Sequence, residues 1–457
     1  MVSEFIKNKH LANRAGFGIS LEQIATFERQ STAEVWQSYA RARDFEPISF
    51  KSTDTDADYA ALSTLDAVAK KQIQQRNRQR NIEINLNFLT AMVHSEDQLR
   101  EKMAFFWHGH FASRVVNSTF SAHILNEIRK NALGNFRDLL FAVSKAPAML
   151  NFLNNQQNKK GHPNENFARE VMELFTMGRG HYTEVDVREA ARAFTGWSYD
   201  KEARFMERKK FHDPGTKIFL GKTGNFDGNE VLDIILEQPA TARFITAKLY
   251  RFLVNEQVDN ELVDMLSKQF YDSGYDIKQL LDHIFTSSWF YEPKNIGSKI
   301  KSPIELMAGI MRMLPMKIEN PENLIVYQKL LGQLLLYPPN VAGWPSGKAW
   351  IDSSTLLLRM QIPQIWSGLR PLELSPQQDD DLDMGLKQNR KLSKGFKNPN
   401  MTIAWTAVEA AFAGKEPTGL LLQHEPSFKQ PILKKYAAGN SRMSIIETMS
   451  MPEYQLC

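Results

Sequence analysis

The chain has 457 residues, of which 42% are hydrophobic and 24% are charged. This composition is typical of a folded globular protein, and the length predicts one large domain or two coupled domains. The 56 basic and 52 acidic residues leave a net charge of +4. So small an excess over this length argues against a partner that is a nucleic acid.

The chain contains one cysteine, Cys457. An intramolecular disulfide and a cysteine-based metal site within one chain are therefore excluded. The opening residues, MVSEFIKNKHLANRAGFG, lack the apolar segment of a secretory signal. No stretch approaches the roughly 18 apolar residues of a membrane span. We expect a cytoplasmic protein without a membrane span, or else a periplasmic one that is exported as the passenger of a partner.

Signals for helix formation dominate the chain. Ser20 and Gln23 have the spacing of a capping box, and Pro303 follows Ser302 at the first position of another helix. Strand signals are few, and those at residues 198–228 predict a small hairpin. The sequence therefore predicts a mostly α fold, in which a large multi-helix globular domain carries a few short strands and a small C-terminal helical appendage.

Composition also predicts how the chain is divided. Residues 1–370 are expected to form the main helical domain. Residues 371–395 are polar and acidic and are expected to form a linker. Residues 396–457 would then be the C-terminal appendage, which can pack on the main domain.

The densest set of potentially chemical side chains lies between residues 161 and 197. A helix is predicted over Asn164–Met177, and at about 100° per residue its polar side chains fall within one sector of about 140°. The members of this polar face are Glu165, Asn166, Arg169, Glu170 and Glu173. The simpler interpretation is the solvated face of an amphipathic helix. The alternative is a site, since the face has no Lys or Gln.

Glu170 and Glu173 stand about one turn apart on this face. Two carboxylates at this spacing can hold a hard cation, or can divide into acid and base roles where both are partly buried. Arg169 can pair with Glu173, or can clamp an anionic substrate. These three residues are the first candidates for catalysis.

A second helix is predicted to begin at Thr183. Glu184 and Asp186 suit its N-terminus and Gly196 suits its end, so these residues have sufficient structural roles. His181, in the turn before this helix, has no such explanation. It either bonds to backbone within the turn or belongs to the candidate catalytic set.

Two further histidines, His108 and His110, flank Gly109. On a helix, residues two apart point about 200° apart and cannot share an ion, whereas in an extended segment they face the same side. An extended H-x-H pair offers two imidazoles to zinc, iron or copper, and Glu170 or Glu173 could complete such a site. The alternative interpretation is a pair of buried, hydrogen-bonded histidines.

The loop Tyr337–Trp350, YPPNVAGWPSGKAW, is rich in Pro, Gly and aromatic side chains. Trp344 and Trp350 can form a stacking platform for a substrate such as a sugar or a peptide. The alternative interpretation is a loop that plugs the core.

Six stretches resemble, in order, motifs of the bacterial family known as domain of unknown function 1800. They are HLANRAGFG (10–18), KMAFFWHGHF (102–111), NENFAREVMELFTMGRGHYTEVDVREAARAFTGW (164–197), FLGKTGNFDG (219–228), QPATARFITAKLYRFLV (238–254) and PPNVAGWPSGKAWI (338–351). The family's motif positions coincide with the candidates above and include Trp197, which with Asn166 becomes a candidate substrate contact. The resemblance implies a mostly helical protein and no assigned reaction. It also implies a partner, because genes of this family commonly neighbour an exported sulfatase-like or phosphatase-like protein.

Two hypotheses follow. In the first, the protein is a hydrolase-like enzyme, assisted by a divalent metal ion or by acid and base groups, that acts on a polar polymer or an ester. In the second, it is a non-catalytic partner that stabilises the neighbouring exported protein, and its polar residues form a buried network.

Overall fold

The computed structural model describes residues 2–49, 66–200, 202–372, 400–424 and 441–457. Within these ranges the chain forms twenty α-helices and three antiparallel sheets of two strands each. The predicted mostly α class is confirmed. None of the described helices combines the length and the apolar character that crossing a bilayer requires.

Among the described residues of the N-terminal third, the regular elements are all helices. Its helices are α1 (Glu4–Ala15), α2 (Ile24–Phe27), α3 (Thr32–Ala40), α4 (Ala67–His94), α5 (Gln98–His110), α6 (Ser118–Asn131), α7 (Phe136–Lys145) and α8 (Pro147–Phe152). The predicted capping box of Ser20 and Gln23 is present, and it opens a short 3-10 turn before α2. Asn77, Asn81 and Asn85 lie one turn apart on the buried side of α4 and bond to neighbouring segments.

The middle of the chain holds the polar helix and two hairpins. After α9 (Asn166–Glu170) comes a π-helix, Val171–Thr176, and then α10 (Glu184–Ala193). Strand β1 (Trp197–Tyr199) pairs with β2 (Phe205–Glu207), and β3 (Lys217–Phe219) pairs with β4 (Lys222–Gly224). The hairpin predicted at residues 198–228 is therefore confirmed.

The remaining elements return the chain to its N-terminal part. They are α11 (Gly228–Leu236), α12 (Pro239–Leu253), α13 (Asn260–Asp272), α14 (Ile277–Thr286), α15 (Pro303–Met313), β5 (Met316–Ile318), α16 (Asn323–Leu330), α17 (Ser353–Trp366), β6 (Met401–Ile403), α18 (Trp405–Phe412), α19 (Pro417–Leu421) and α20 (Ser441–Met449). Strand β5 pairs with β6, which ties residues on either side of position 373 together. The predicted linker lies, from residue 373 onward, outside the described residues.

One connected hydrophobic core includes both ends of the described chain. Leu11 of α1 and Ile445 of α20 are fully buried in it. The last residues also join the body through backbone bonds, because Cys457 and Lys299 bond to each other through both their N–H and carbonyl groups. The described part of the C-terminal segment therefore packs on the main body.

Near the backbone pairing of Lys299 and Cys457 lies a set of buried charged side chains, which we call the buried cation cluster. It consists of the carboxylate of Glu305 and the cationic side chains of Arg14, Lys102, Lys299, Lys301 and Arg359. These residues come from α1, α5, α15, α17 and the segment before α15. The cluster therefore joins elements that lie far apart in the sequence.

Glu305 is the centre of the cluster. Its carboxylate pairs with Lys102 and accepts a bond from the backbone N–H of Ser302 at 2.7 Å, so it also completes the capping box of α15. Burial opposes ionisation of Glu305, but the charges of Lys102 and Lys299 outweigh it and lower the pKa to about 2. Since a buried charge without a partner costs several kcal/mol, the carboxylate and its cations depend on one another.

We expect Glu305→Gln to lower the free energy of unfolding by about 3–5 kcal/mol, because it leaves buried cations without their carboxylate. The measurement is urea denaturation at pH 7. Asp233→Asn is the control, because it breaks an exposed pair with Arg137 and should cost less than about 1 kcal/mol. Equal losses in the two variants would contradict the central role of Glu305.

Candidate functional site

The polar helix differs from the single α-helix that the sequence predicts. Residues 166–170 are α-helical, but Val171–Thr176 form a π-helix. Within it the Thr176 hydroxyl donates a hydrogen bond to the Val171 carbonyl at 2.6 Å. The backbone N–H groups of Met177 and Gly178 both donate to the Met172 carbonyl. A π-helix changes the angle between successive side chains, and such segments occur frequently at functional sites.

The π-helix ends against one buried side chain, that of His110, and one half-buried side chain, that of Lys248. The last carbonyl groups of a helix have no partner within it. His110 Nε2 lies 3.0 Å from the carbonyl oxygen of Phe175, and Lys248 Nζ donates to the carbonyl of Leu174 at 3.2 Å. Lys248 Nζ also lies 3.1 Å from His110 Nδ1. Lys248 and His110 together therefore hold the end of the π-helix.

These contacts fix the protonation of His110. Burial holds the pKa of His110 well below its usual range, and the charge of Lys248 adds to this effect. A neutral imidazole has one donor and one acceptor nitrogen. Because Nε2 faces a carbonyl oxygen, it carries the proton, and Nδ1 accepts from Lys248. Burial also lowers the pKa of Lys248 to about 8, which leaves its ammonium charged at neutral pH and next to the negative end of the helix.

His108 has a different environment. Its Nε2 accepts a hydrogen bond from the backbone N–H of Leu336 at 3.1 Å, and Leu336 has a positive φ of 71°. The His108 ring also packs against Trp344, with 5.3 Å between the ring centroids. Burial lowers the pKa of His108 to about 4, so the ring is neutral at pH 7. His108 therefore anchors the start of the loop Tyr337–Trp350 on α5.

The same loop also approaches α5 closely where Gly343 meets the backbone of Gly109. A Cβ atom at Gly343, where φ is +87°, would lie 2.3 Å from the carbonyl oxygen of Gly109. The loop and the end of α5 thus meet backbone to backbone, which no larger side chain at position 343 permits. Within the loop Trp350 is buried and Trp344 is partly buried.

His108 and His110 both lie on α5, so they follow the helical alternative and point to different neighbours. His108 faces Leu336, whereas His110 faces the end of the π-helix. Among the described residues, no three His, Cys, Asp or Glu side chains gather in an arrangement that could hold a metal ion. Metal assistance stays a prediction, and the structure supplies structural roles for both histidines.

Glu170 and Glu173 stand on the α-to-π transition and have contrasting environments. Glu170 is half-buried, and no described residue donates a hydrogen bond to its carboxylate. Burial raises the pKa of Glu170, and the negative charge of Glu173 raises it further. A hydrogen bond from Arg179 lowers the pKa of Glu173, and a second bond comes from the Tyr182 hydroxyl at 3.0 Å. The environment of Glu170 therefore favours its protonated form, and the environment of Glu173 favours its ionised form.

Arg169 is held by carboxylates on both sides. It donates two bonds to Glu184, at 2.8 and 2.7 Å, and one to Glu165 at 3.2 Å. The predicted pairing of Arg169 with Glu173 is replaced by this link between α9 and α10. The guanidinium joins two helices, while Arg179, whose side chain is 85% exposed, is the cation nearest to solvent beside Glu173.

The other candidates are spread over the surface and the core. His181 is exposed in the turn before α10, and Asn166 is exposed at the start of α9, where its side-chain amide donates to the Leu153 carbonyl at 3.3 Å. Trp197 is only 1% exposed and packs against Phe194 and Phe205. The structure thus gathers Glu170 and Glu173 with Arg179 and Tyr182, and it places Trp197 in the core.

The model of the protein family described as "Protein of unknown function (DUF1800)" matches residues 10–456. The chain belongs to this family. The match covers nearly the whole chain and confirms the resemblance that the six motifs indicate. No curated protein and no solved structure matches the chain.

In this DUF1800 protein, three residues of the site region have no distinguishing sequence signal. Lys248 stands in an ordinary amphipathic helix, and Arg179 and Tyr182 stand in a turn between helices. Only the tertiary contacts with the π-helix and with Glu173 show their roles. The one sequence feature that could have indicated these three residues is that they lie within stretches that resemble motifs of the family.

We expect His110 and Lys248 to contribute cooperatively to stability. Removal of either side chain leaves the other side chain, and one carbonyl group of the π-helix, without a hydrogen-bond partner. The measurement is a double-mutant cycle of His110→Ala and Lys248→Met by urea denaturation. The coupling energy should be about 1–3 kcal/mol. Additive effects of the two substitutions would show that the two side chains do not act together on the π-helix.

The buried His108 should make stability depend on pH. Folded His108 stays neutral down to about pH 4, whereas the unfolded chain binds a proton below about pH 6.5. The free energy of unfolding should therefore fall by about 2 kcal/mol from this residue alone between pH 7 and pH 5. His108→Gln, which keeps an acceptor for Leu336, should remove that part of the loss, whereas a substitution of the exposed His94 should not. An unchanged pH dependence in His108→Gln would contradict a buried, neutral imidazole.

Proposed function

We propose that this DUF1800 protein is an acid/base-assisted hydrolase-like enzyme that acts on a polar polymer or an ester. Glu170 is its general acid, and Glu173 is the ionised partner that acts as base or stabilises positive charge. The observation that carries the proposal is the opposite shift of these two pKa values on neighbouring turns of one helix. Pairs of carboxylates whose environments separate their pKa values are typical of acid and base roles.

The surroundings of the pair support these roles. Glu170 has no hydrogen-bond donor among the described residues that would favour its ionised form, and its raised pKa suits a general acid that donates a proton to a leaving group. The bonds from Arg179 and Tyr182 keep Glu173 charged. The exposed side chains of Arg179 and His181 lie on the solvent side, where a polar or anionic substrate would approach.

The contacts at the end of the π-helix also support the proposal. A catalytic carboxylate must be held within a fraction of an ångström, and buried contacts supply this better than an exposed helix end does. His110 and Lys248 bind the carbonyl groups of residues 174 and 175, only one or two residues beyond Glu173. In this proposal His110 and Lys248 are positioning residues, because they act through the π-helix and do not touch the substrate.

The non-catalytic alternative is favoured by a different observation. The buried His108 and His110 and the partly exposed Arg169 all have structural partners within the chain, as expected for a polar network that stabilises a binding protein. The two functions differ in what they require of Glu170. A binding protein needs no easily protonated carboxylate, whereas the enzyme depends on it.

We expect the wild-type protein to hydrolyse members of a panel of alkyl and 4-nitrophenyl esters and glycosides, and Glu170→Gln to lose about 100-fold or more in rate. The loss should be larger for alkyl leaving groups than for 4-nitrophenyl, because a poor leaving group needs its proton more. The wild-type rate should also decrease as rising pH ionises Glu170, and the variant should lack this decrease.

Glu165→Gln is the matched control, because it removes another carboxylate of the same face that binds only Arg169. It should retain the wild-type rate. Glu170→Gln should be at least as stable as the wild type, since it removes a partly buried charge without a hydrogen-bond donor. Absence of hydrolysis in the wild type, or equal rates in Glu170→Gln and the wild type, would refute the proposal in favour of a binding role.

A further inference from the structure

The buried cation cluster carries more positive than negative charge. Its five cationic side chains are those of Arg14, Lys102, Lys299, Lys301 and Arg359, all buried. Among the described residues, the negative charges with the largest effects on them are those of Glu305, of Glu256, which acts on Arg14, and of Cys457. The five positive charges of the cluster therefore exceed these three negative charges by two. Lys299 and Lys301 remain charged at neutral pH, because burial lowers the pKa of each only to about 8.

Several N–H donors of the cluster and of Gln455, which accepts a hydrogen bond from Arg359, also lack an acceptor in the described part of the chain. These are Nε and Nη1 of Arg14, Nη1 of Arg359 and Nε2 of Gln455, and all four atoms are buried. An unpaired buried donor is unfavourable, and more so where the group is charged. The two observations are independent: the excess of positive charge indicates a missing negative group, and the unpaired donors indicate a missing acceptor.

Arg14 offers the most donors to an additional ligand, because two of its three guanidinium nitrogen atoms have no acceptor among the described residues. Its third, Nη2, donates to the carbonyl groups of Asn295 and Cys457, at 3.1 and 2.7 Å, and lies 3.2 Å from the Ser298 hydroxyl. These contacts fix the guanidinium in place. Lys299 brings a second positive charge to the same region, and its ammonium is anchored on the Phe252 carbonyl at the end of α12.

Water molecules alone would not resolve this arrangement. A buried water can accept a bond from an unpaired donor, but it carries no net charge and does not offset two buried positive charges. A small anion meets both requirements at once. Guanidinium groups are particularly suited to oxyanions, and ammonium groups bind anions as point charges.

We propose that the buried cation cluster binds a small inorganic anion, either chloride or an oxyanion such as phosphate, next to Arg14. The anion neutralises the cluster and links α1 to the segment before α15 and to the last residues. This site is separate from the carboxylates of the π-helix, so its occupancy affects the stability of the fold and not the acid/base chemistry.

The test compares melting temperatures at constant ionic strength, with sodium gluconate replaced stepwise by sodium chloride or, in a second series, by sodium phosphate. Gluconate is too large for a buried site, so it serves as the reference. An anion present at about 100 times its dissociation constant should raise the melting temperature of the wild type by a few degrees, with saturation. The series that saturates identifies chloride or phosphate as the ligand.

Arg14→Gln should lose this saturable increase, whereas Arg137→Gln, which alters an exposed arginine, should retain it. If Arg14→Gln does not fold, crystals of the wild-type protein grown with sodium bromide or soaked in phosphate decide the question through an anion peak beside Arg14. Equal melting temperatures of the wild type in all three salts, or crystals without an anion at Arg14, would overturn the proposal.

Discussion

The carboxylate of Glu305 is the interaction on which the arrangement of the fold depends. It stands at the N-terminus of α15, completes the cap of that helix, and faces cations from α1, α5, α17 and the preceding segment. Charges in a protein interior are stable only when their partners are in place. The elements that carry the cations must therefore assemble around one point. This constraint links the N-terminal helix to the last residues of the chain, which approach the same point through Cys457 and Gln455.

The same principle operates at the π-helix on a smaller scale. Buried backbone groups must find partners, and the carbonyl groups at its end find Lys248 and His110. Because α5 and α12 supply these two side chains, the position of Glu173 is tied to the packing of two other helices. The geometry of the candidate site therefore depends on how the helices of the core pack. Its carboxylates differ from each other because, among the described residues, Glu173 has hydrogen-bond donors and Glu170 has none.

Several elements could be predicted from the sequence because their causes are local. The capping boxes at Ser20, Thr183 and Ser302 are present, since a cap needs only side chains three residues apart. The hairpins after Trp197 also follow from local composition. By contrast, the helix of His108 and His110 depends on burial of the aromatic side chains around it, and the sequence left the helical and extended alternatives open.

The amino-acid sequence by itself determined the mostly α class, the positions of most helix starts and the membership of the DUF1800 family, because these depend on neighbouring residues or on ordered motifs. Only the tertiary structure decided the environment of each candidate. It showed that Arg169 binds Glu184, that Trp197 is a core residue, and that Glu170 and Glu173 have different surroundings. The reason is physical: burial and hydrogen bonding set the charge state of a side chain, and both come from residues that are distant in the sequence.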